Sequence, residues 1–238
     1  MCSNYEPVTR ADRLLSFFGV QHRDAASVIT FPTGTAPFIR LSDLGKREAV
    51  DGRFGLLPQW AKELSYGRKT YNARTETVAT LPSYRAPWKK GQRCVIPAET
   101  IFEPSYETGK AVRWGIQQPG QVPMGIAGIY ESWKNTITQE QEYSFSMLTV
   151  NADGHPVMQR FHGADDEKRM VVILDPKDYD DWLACSVEEA PRYFTRWMGP
   201  LDTFEAPLAP RAPRKKAAKK DAPPPVDQIP DDDEPQLF

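Results

Sequence analysis

The chain is poor in the residues from which covalent scaffolds and metal centres are built. Its 238 residues include three cysteines, Cys2, Cys94 and Cys185, and three histidines, His22, His155 and His162. The cysteines are odd in number, widely spaced and without a Cys-x-x-Cys pair, which argues against a disulfide framework and a cysteine-based zinc site. The histidines do not fall at ligand spacing either, so no metal and no cofactor is expected. No long apolar run is present, which excludes a transmembrane helix from the sequence reading. The opening residues lack the basic, apolar, small-residue order of a secretory signal. A reduced cytoplasmic setting, in which thiols stay free, is the expectation.

Net charge is also small, at −2, but the mean hides a split. "APRAPRKKAAKKDAPPP" is basic and rich in alanine and proline, and "DDDEPQLF" ends the chain acidic. Neither has helical or strand periodicity, so residues 205–238 read as a disordered tail and residues 2–204 as one domain. A basic arm of this kind either solvates a linker or adds non-specific nucleic-acid affinity.

Within 2–204 the pattern is strand-rich. "APFIRL", "EAVDGRFGLL", "RCVIPAETIFE", "AVRWGIQ", "PMGIAGIYESW", "EYSFSMLTV" and "KRMVVIL" read as strands. "TRADRLLSFFG" reads as a short helix with Leu14, Leu15, Phe17 and Phe18 on one side and Gly19 as its stop. "ARTETVATLPSYRAPW" reads as a helix interrupted by Pro82, and "DPKDYDDWLAC" as a helix with Asp175 at its N-cap and Pro176 in the first turn. Strands in runs with helices outside them predict α+β rather than a doubly wound sheet.

One cysteine stands directly behind the initiator methionine. Loss of Met1 would leave Cys2 with a free amine and a thiol on adjacent carbons, and both groups titrate within about two units of neutrality when unperturbed. Four stretches offer partners. Asn72 and Arg74 in "TYNARTE" fall at an expected helix start, which suits anion binding through free amides. Glu103 ends an apolar strand, a setting that raises a carboxylate toward acid–base range. His162 lies in a loop before a buried strand. Phe54 and Trp60 in "GRFGLLPQWAKE" either stack on bases or fill the core.

Taken in order, "MC", "GLLPQWA", "NARTET", "RCVIPA" with a Glu nine residues after its Cys, and a His ahead of "RMVVIL" resemble the SOS response-associated peptidase (SRAP) family, the abasic-site DNA–protein crosslinking proteins. The resemblance covers residues 2 to about 200. It implies a β-rich α+β fold with a strongly bent sheet or barrel-like core, flanking helices and a groove for single-stranded DNA. It also implies that Cys2 attacks the ring-opened aldehyde of an abasic site. A 1,2-aminothiol and an aldehyde close to a thiazolidine: the amine gives an imine and the thiol adds across it, helped by proximity.

By the same resemblance Glu103 shuttles protons, His162 promotes opening of the sugar ring, Asn72 orients the N-terminus, and Arg74 grips a phosphate. Asn4, Phe54 and Trp60 complete the expected DNA contacts. The expected partner is single-stranded DNA with abasic sites, bound by a monomer in the cytoplasm at the nucleoid during the DNA damage (SOS) response. The terminal "PQLF" resembles peptides that dock on sliding clamps. Three departures stand out: Asn4 where an arginine is usual, Pro104 where a tryptophan usually follows the Glu, and the longer insert "GADDEK" after His162. Two other readings stay open, an N-terminal cysteine peptidase and a non-catalytic single-strand-binding module.

Overall fold

In the computed structural model, residues 2–26, 28–163 and 165–208 are described, and the chain up to Pro207 forms one compact unit. The expected tail, with its basic arm and "PQLF", lies outside the described residues from position 209 onward. In chain order the elements are β1 (Asn4–Pro7), α1 (Ala11–Phe18), β2 (Thr35–Leu41), β3 (Arg47–Phe54), β4 (Asn72–Arg74), α2 (Arg85–Lys89) and β5 (Arg93–Ser105). They continue with β6 (Val112–Gln117), β7 (Met124–Lys134), β8 (Gln141–Asn151), β9 (Arg169–Val171), β10 (Ile173–Leu174), α3 (Tyr179–Ala184) and β11 (Asp202–Glu205).

Five of the strands close on themselves. β2 pairs with β3, β3 with β8, β8 with β7, β7 with β5, and β5 returns to β2 through Ile39 and Val95. Every pair in this ring is antiparallel except β3–β8, which is parallel. The α+β, β-rich class with a barrel-like core is therefore what the chain adopts. Phe38, Phe54 and Phe145 pack together with all three rings fully buried, centroids 5.3 Å apart for Phe38–Phe145 and 5.8 Å for Phe54–Phe145. Each buried ring of this kind contributes about 1.5–3 kcal/mol. Gly52 makes room for them, because a Cβ there would stand 2.6 Å from the Phe38 ring.

β5 carries the architecture from core to site. Its first half, Arg93–Ala98, is in the barrel against β7. Its second half leaves the barrel and is flanked by β1 and β6. Both faces of the strand are covered, which is why "RCVIPAETIFE" reads as a nearly unbroken apolar run rather than an alternating one.

The sequence reading is amended in four places. The helix expected over Ala73–Trp88 is instead β4, a series of turns, and α2. Asn72–Arg74 pair in parallel with Met147–Thr149 of β8, and Pro82, lacking an N–H, delays the helix to Arg85. Asn72 and Arg74 thus do not stand at a helix start. In α1 only Leu14 and Phe18 are buried, while Leu15 and Phe17 are exposed; Gly19 ends the helix at φ 69° as expected. The run "KRMVVIL" is split at Val172 into β9, on β8, and β10, on β7. β1 and β11 are additional strands, and β11 pairs with β6.

Candidate functional site

The register of β1 decides where the N-terminus goes. Asn4 lies opposite Phe102 on β5, so Cys2 arrives beside Glu103. Cys2 is fully buried. Its Sγ donates to the Asn4 carbonyl at 3.1 Å, and its own carbonyl accepts from Asn72 Nδ2 at 2.9 Å. Asn72 is in turn fixed by the Tyr84 hydroxyl, which donates to its carbonyl at 2.9 Å. Burial, with the nearby Glu103 charge adding to it, pushes the Cys2 thiol up to about 12. At neutral pH this thiol is protonated. The open-chain expectation of a partly ionised thiol therefore does not hold at this depth.

Glu103 is 1% exposed and His162 8%. They face each other, His162 Nε2 lying 3.5 Å from Glu103 Oε2 and 3.4 Å from the Arg169 carbonyl. His162 has a left-handed backbone, φ 69°, and its N–H donates to the Pro104 carbonyl at 2.8 Å. That bond ties the histidine loop to the residue after Glu103. Lys168 Nζ holds the same loop through the carbonyls of His162, 3.2 Å, and Gly163, 2.6 Å. Burial raises Glu103 to about 7 and lowers His162 to about 4. The pair is thus a neutral imidazole beside a carboxyl that gains or loses its proton near pH 7, an arrangement suited to moving protons.

Arg74 is half exposed and paired with Glu167 at 2.7 Å. Glu167 also binds Arg169 at 2.6 Å, and Arg169 binds both oxygens of Glu76 at 3.0 and 2.8 Å and the Thr149 carbonyl at 2.6 Å. Arg169 is 1% exposed. It is a site residue that the sequence did not single out; its only visible signal there was a basic residue opening a strand.

The structure brings Cys2, Asn72, Glu103 and His162 together and places Arg74 beside them through Glu167 and Arg169. It separates the remaining expected contacts. Phe54 is fully buried against Tyr5 and Tyr71, centroids 5.1 and 5.7 Å away, so it offers no face to a base. Asn4 is also buried in β1 rather than displayed for a phosphate. Trp60 is 55% exposed and stands edge-on to Tyr66 at 5.1 Å, at the rim of a cavity of about 430 Å³ shared with Lys62 and Lys69. Among the described residues no three His, Cys, Asp or Glu side chains are grouped to hold a metal, and no helix is long and apolar enough to cross a membrane.

A closed β-barrel thus carries Cys2 laid against the buried Glu103–His162 pair. Residues 1–207 match the family model described as "SOS response associated peptidase (SRAP)", and the chain belongs to that family. A crystal structure of a protein from Bordetella bronchiseptica superposes with a TM-score of 0.79 at 34% identity, covering 87% of this chain and all of that one. Another, from Bacteroides thetaiotaomicron, gives 0.70 at 23% identity over 86% of this chain and 91% of that one, a likeness of fold. Among curated relatives, abasic site processing protein YoqW of Bacillus subtilis is 31% identical over 151 residues, 63% of each chain. Abasic site processing protein HMCES of Gallus gallus is 29% identical over 60% of this chain and 47% of its own length. The chain therefore spans less than two thirds of these curated relatives' lengths.

Proposed function

We propose that this protein processes abasic sites in single-stranded DNA by capturing them covalently on Cys2 once Met1 has been removed. The observation that carries the reading is the placement of Cys2 against the buried Glu103–His162 pair, with Asn72 holding the Cys2 carbonyl. The names of the relatives support it.

The chemistry follows from the protonation states. The ammonium of Cys2 passes a proton to the Glu103 carboxylate, and the freed amine adds to the aldehyde carbon of the opened sugar, its N–H proton moving to the oxygen to give the carbinolamine. Protonated Glu103, available near pH 7, then supplies the proton with which the carbinolamine hydroxyl leaves as water, and the iminium nitrogen returns its proton to the carboxylate, giving the imine. The Cys2 thiol enters with its proton still on, because burial keeps it neutral. Its sulfur bonds to the imine carbon while its proton passes, through carboxylate or imidazole, to the nitrogen. The balance is aldehyde plus aminothiol giving thiazolidine plus one water. A neutral His162 acts as acceptor and relay; its proton for opening the sugar ring comes by way of Glu103. The Oδ1 of Asn72 is buried without a hydrogen-bond partner, and the ammonium of a processed Cys2 or a sugar hydroxyl would satisfy it.

Arg74 would receive a phosphate by exchanging it for Glu167, and Trp60 would stack on an unpaired base. Wild-type protein incubated with a single-stranded oligonucleotide bearing one abasic site should give a heat-resistant shifted band on a denaturing gel. Cys2→Ala should give none, and a band of equal intensity with Cys2→Ala would end the reading.

A further inference from the structure

Next to Glu103 and His162 stand an aromatic ring and a guanidinium that the chemistry of Cys2 leaves unused. Trp114 on β6 is the cross-strand partner of Glu103, and paired residues of antiparallel neighbours project from the same face. The ring is half-buried. Over it, 5.0 Å from its centroid, lies the guanidinium of Arg160. Arg160 closes the short turn Met158–Arg160, two residues ahead of His162. A bridge between Phe161 and Ser105 fastens this turn to the end of β5. One member of the pair is thus registered to Glu103 and the other to His162.

Arg160 is engaged, but on its exposed side. Its Nε and Nη2 bind the two oxygens of Glu107 at 3.0 and 3.2 Å, and Glu107 is half exposed. A carboxylate on the fork of an arginine occupies the geometry that a phosphate would take. On the other flank Trp114 lies opposite Glu205 of β11, whose charge repels a phosphate backbone, so an anionic strand is disfavoured on that side.

We infer that Trp114 and Arg160 form a nucleotide-binding wall for the residue adjoining the captured one, its base against Trp114 and its phosphate on Arg160 in place of Glu107. This deepens the reading of single-stranded abasic DNA as the substrate and rests on it. The wall reads a neighbour without reading its identity, since every base has a π-face.

The test uses reversible binding. Fluorescence anisotropy is measured with a single-stranded oligonucleotide carrying one tetrahydrofuran residue, which lacks the aldehyde and cannot crosslink. Two further oligonucleotides carry a second tetrahydrofuran on the 5′ or the 3′ side. Trp114→Ala should bind the first about tenfold more weakly than wild type. Wild type should lose a similar factor on one of the doubly substituted strands, and Trp114→Ala should not. Arg160→Gln, a surface change that is readable even if Trp114→Ala folds poorly, should weaken binding and flatten the salt dependence by about 0.7 in slope, the value for one phosphate on a single strand. Glu107→Gln should bind more tightly than wild type. Affinities unchanged in Trp114→Ala and Arg160→Gln, or a Trp114→Ala protein still sensitive to the missing neighbour, would overturn the inference. Crosslinking of authentic abasic DNA, measured alongside, separates the two levels: its absence in wild type overturns the underlying reading, and its presence with unchanged affinities overturns the wall alone.

Discussion

Glu103 and His162 meet at 3.5 Å in a setting that pushes them in opposite directions, the carboxyl up to about 7 and the imidazole down to about 4. Each shift is a statement about stability. Between pH 4.5 and 7 the folded chain keeps a proton on Glu103 that the unfolded chain releases, so this contribution falls as pH rises. Between pH 4 and 6.5 the unfolded chain holds a proton on His162 that the folded chain lacks, so this one rises with pH. In the overlap the two slopes oppose. Glu103→Gln should leave stability rising to pH 6.5 and flat above it, and above pH 7 it should be more stable than wild type by on the order of 1–3 kcal/mol. Urea midpoints between about pH 5 and 8 measure this; equal midpoints at the alkaline end would show that burying Glu103 costs nothing.

Arg169 links the Glu76 and Glu167 carboxylates to the strand whose carbonyl meets His162. Replacing it by methionine removes hydrogen bonds to both carboxylates and to Thr149. Both acids reach solvent, so the loss should be about 2 kcal/mol, below the 3–5 kcal/mol of a fully buried pair. Crosslinking should fall more steeply than stability, because Glu167, which follows His162 and pairs with Arg74, loses the cation that positions it. A variant that is destabilised but crosslinks at the wild-type rate would separate Arg169 from the site.

Gly55 has φ 116°, and a Cβ there would stand 2.1 Å from the Gly67 carbonyl oxygen. Gly55→Ala should displace the segment from Leu56 to Thr70, Trp60 included, and cost about 3 kcal/mol or more. Chemical denaturation checks the size. A loss under about 1 kcal/mol would mean that the segment is free to shift.

Trp60 is exposed where Phe54 is buried, although the two lie six residues apart in one apolar stretch. Trp60→Ala should therefore leave the melting temperature unchanged and weaken single-stranded DNA binding by about 1–3 kcal/mol. A large fall in melting temperature would assign Trp60 to packing instead.

That pair also shows where sequence reading succeeds and stops. The long strands were legible because β-branched and aromatic residues fill them. β4, with only Asn72–Arg74, was not, because its extended shape comes from β8 rather than from its own residues. Phe54 and Trp60 look alike in sequence, since burial depends on which strand closes the barrel. Cys2, Glu103 and His162 were legible as an ordered set through the family resemblance. Their protonation states were not: the thiol at about 12 and the imidazole at about 4 follow from depth, which only the folded chain defines. Arg169 was invisible because its role needs Glu76 and Glu167 in space.

The most direct measurement is the intact mass of the crosslink itself. Wild-type protein is incubated with a single-stranded oligonucleotide carrying one abasic site and analysed by mass spectrometry under denaturing conditions, with fragmentation to locate the attachment. The expected species is the protein without Met1 plus the oligonucleotide minus one water, joined at Cys2 and resistant to borohydride because the ring has closed. A species retaining Met1, an adduct attached elsewhere, or no adduct from protein whose Met1 is confirmed absent would contradict capture by Cys2.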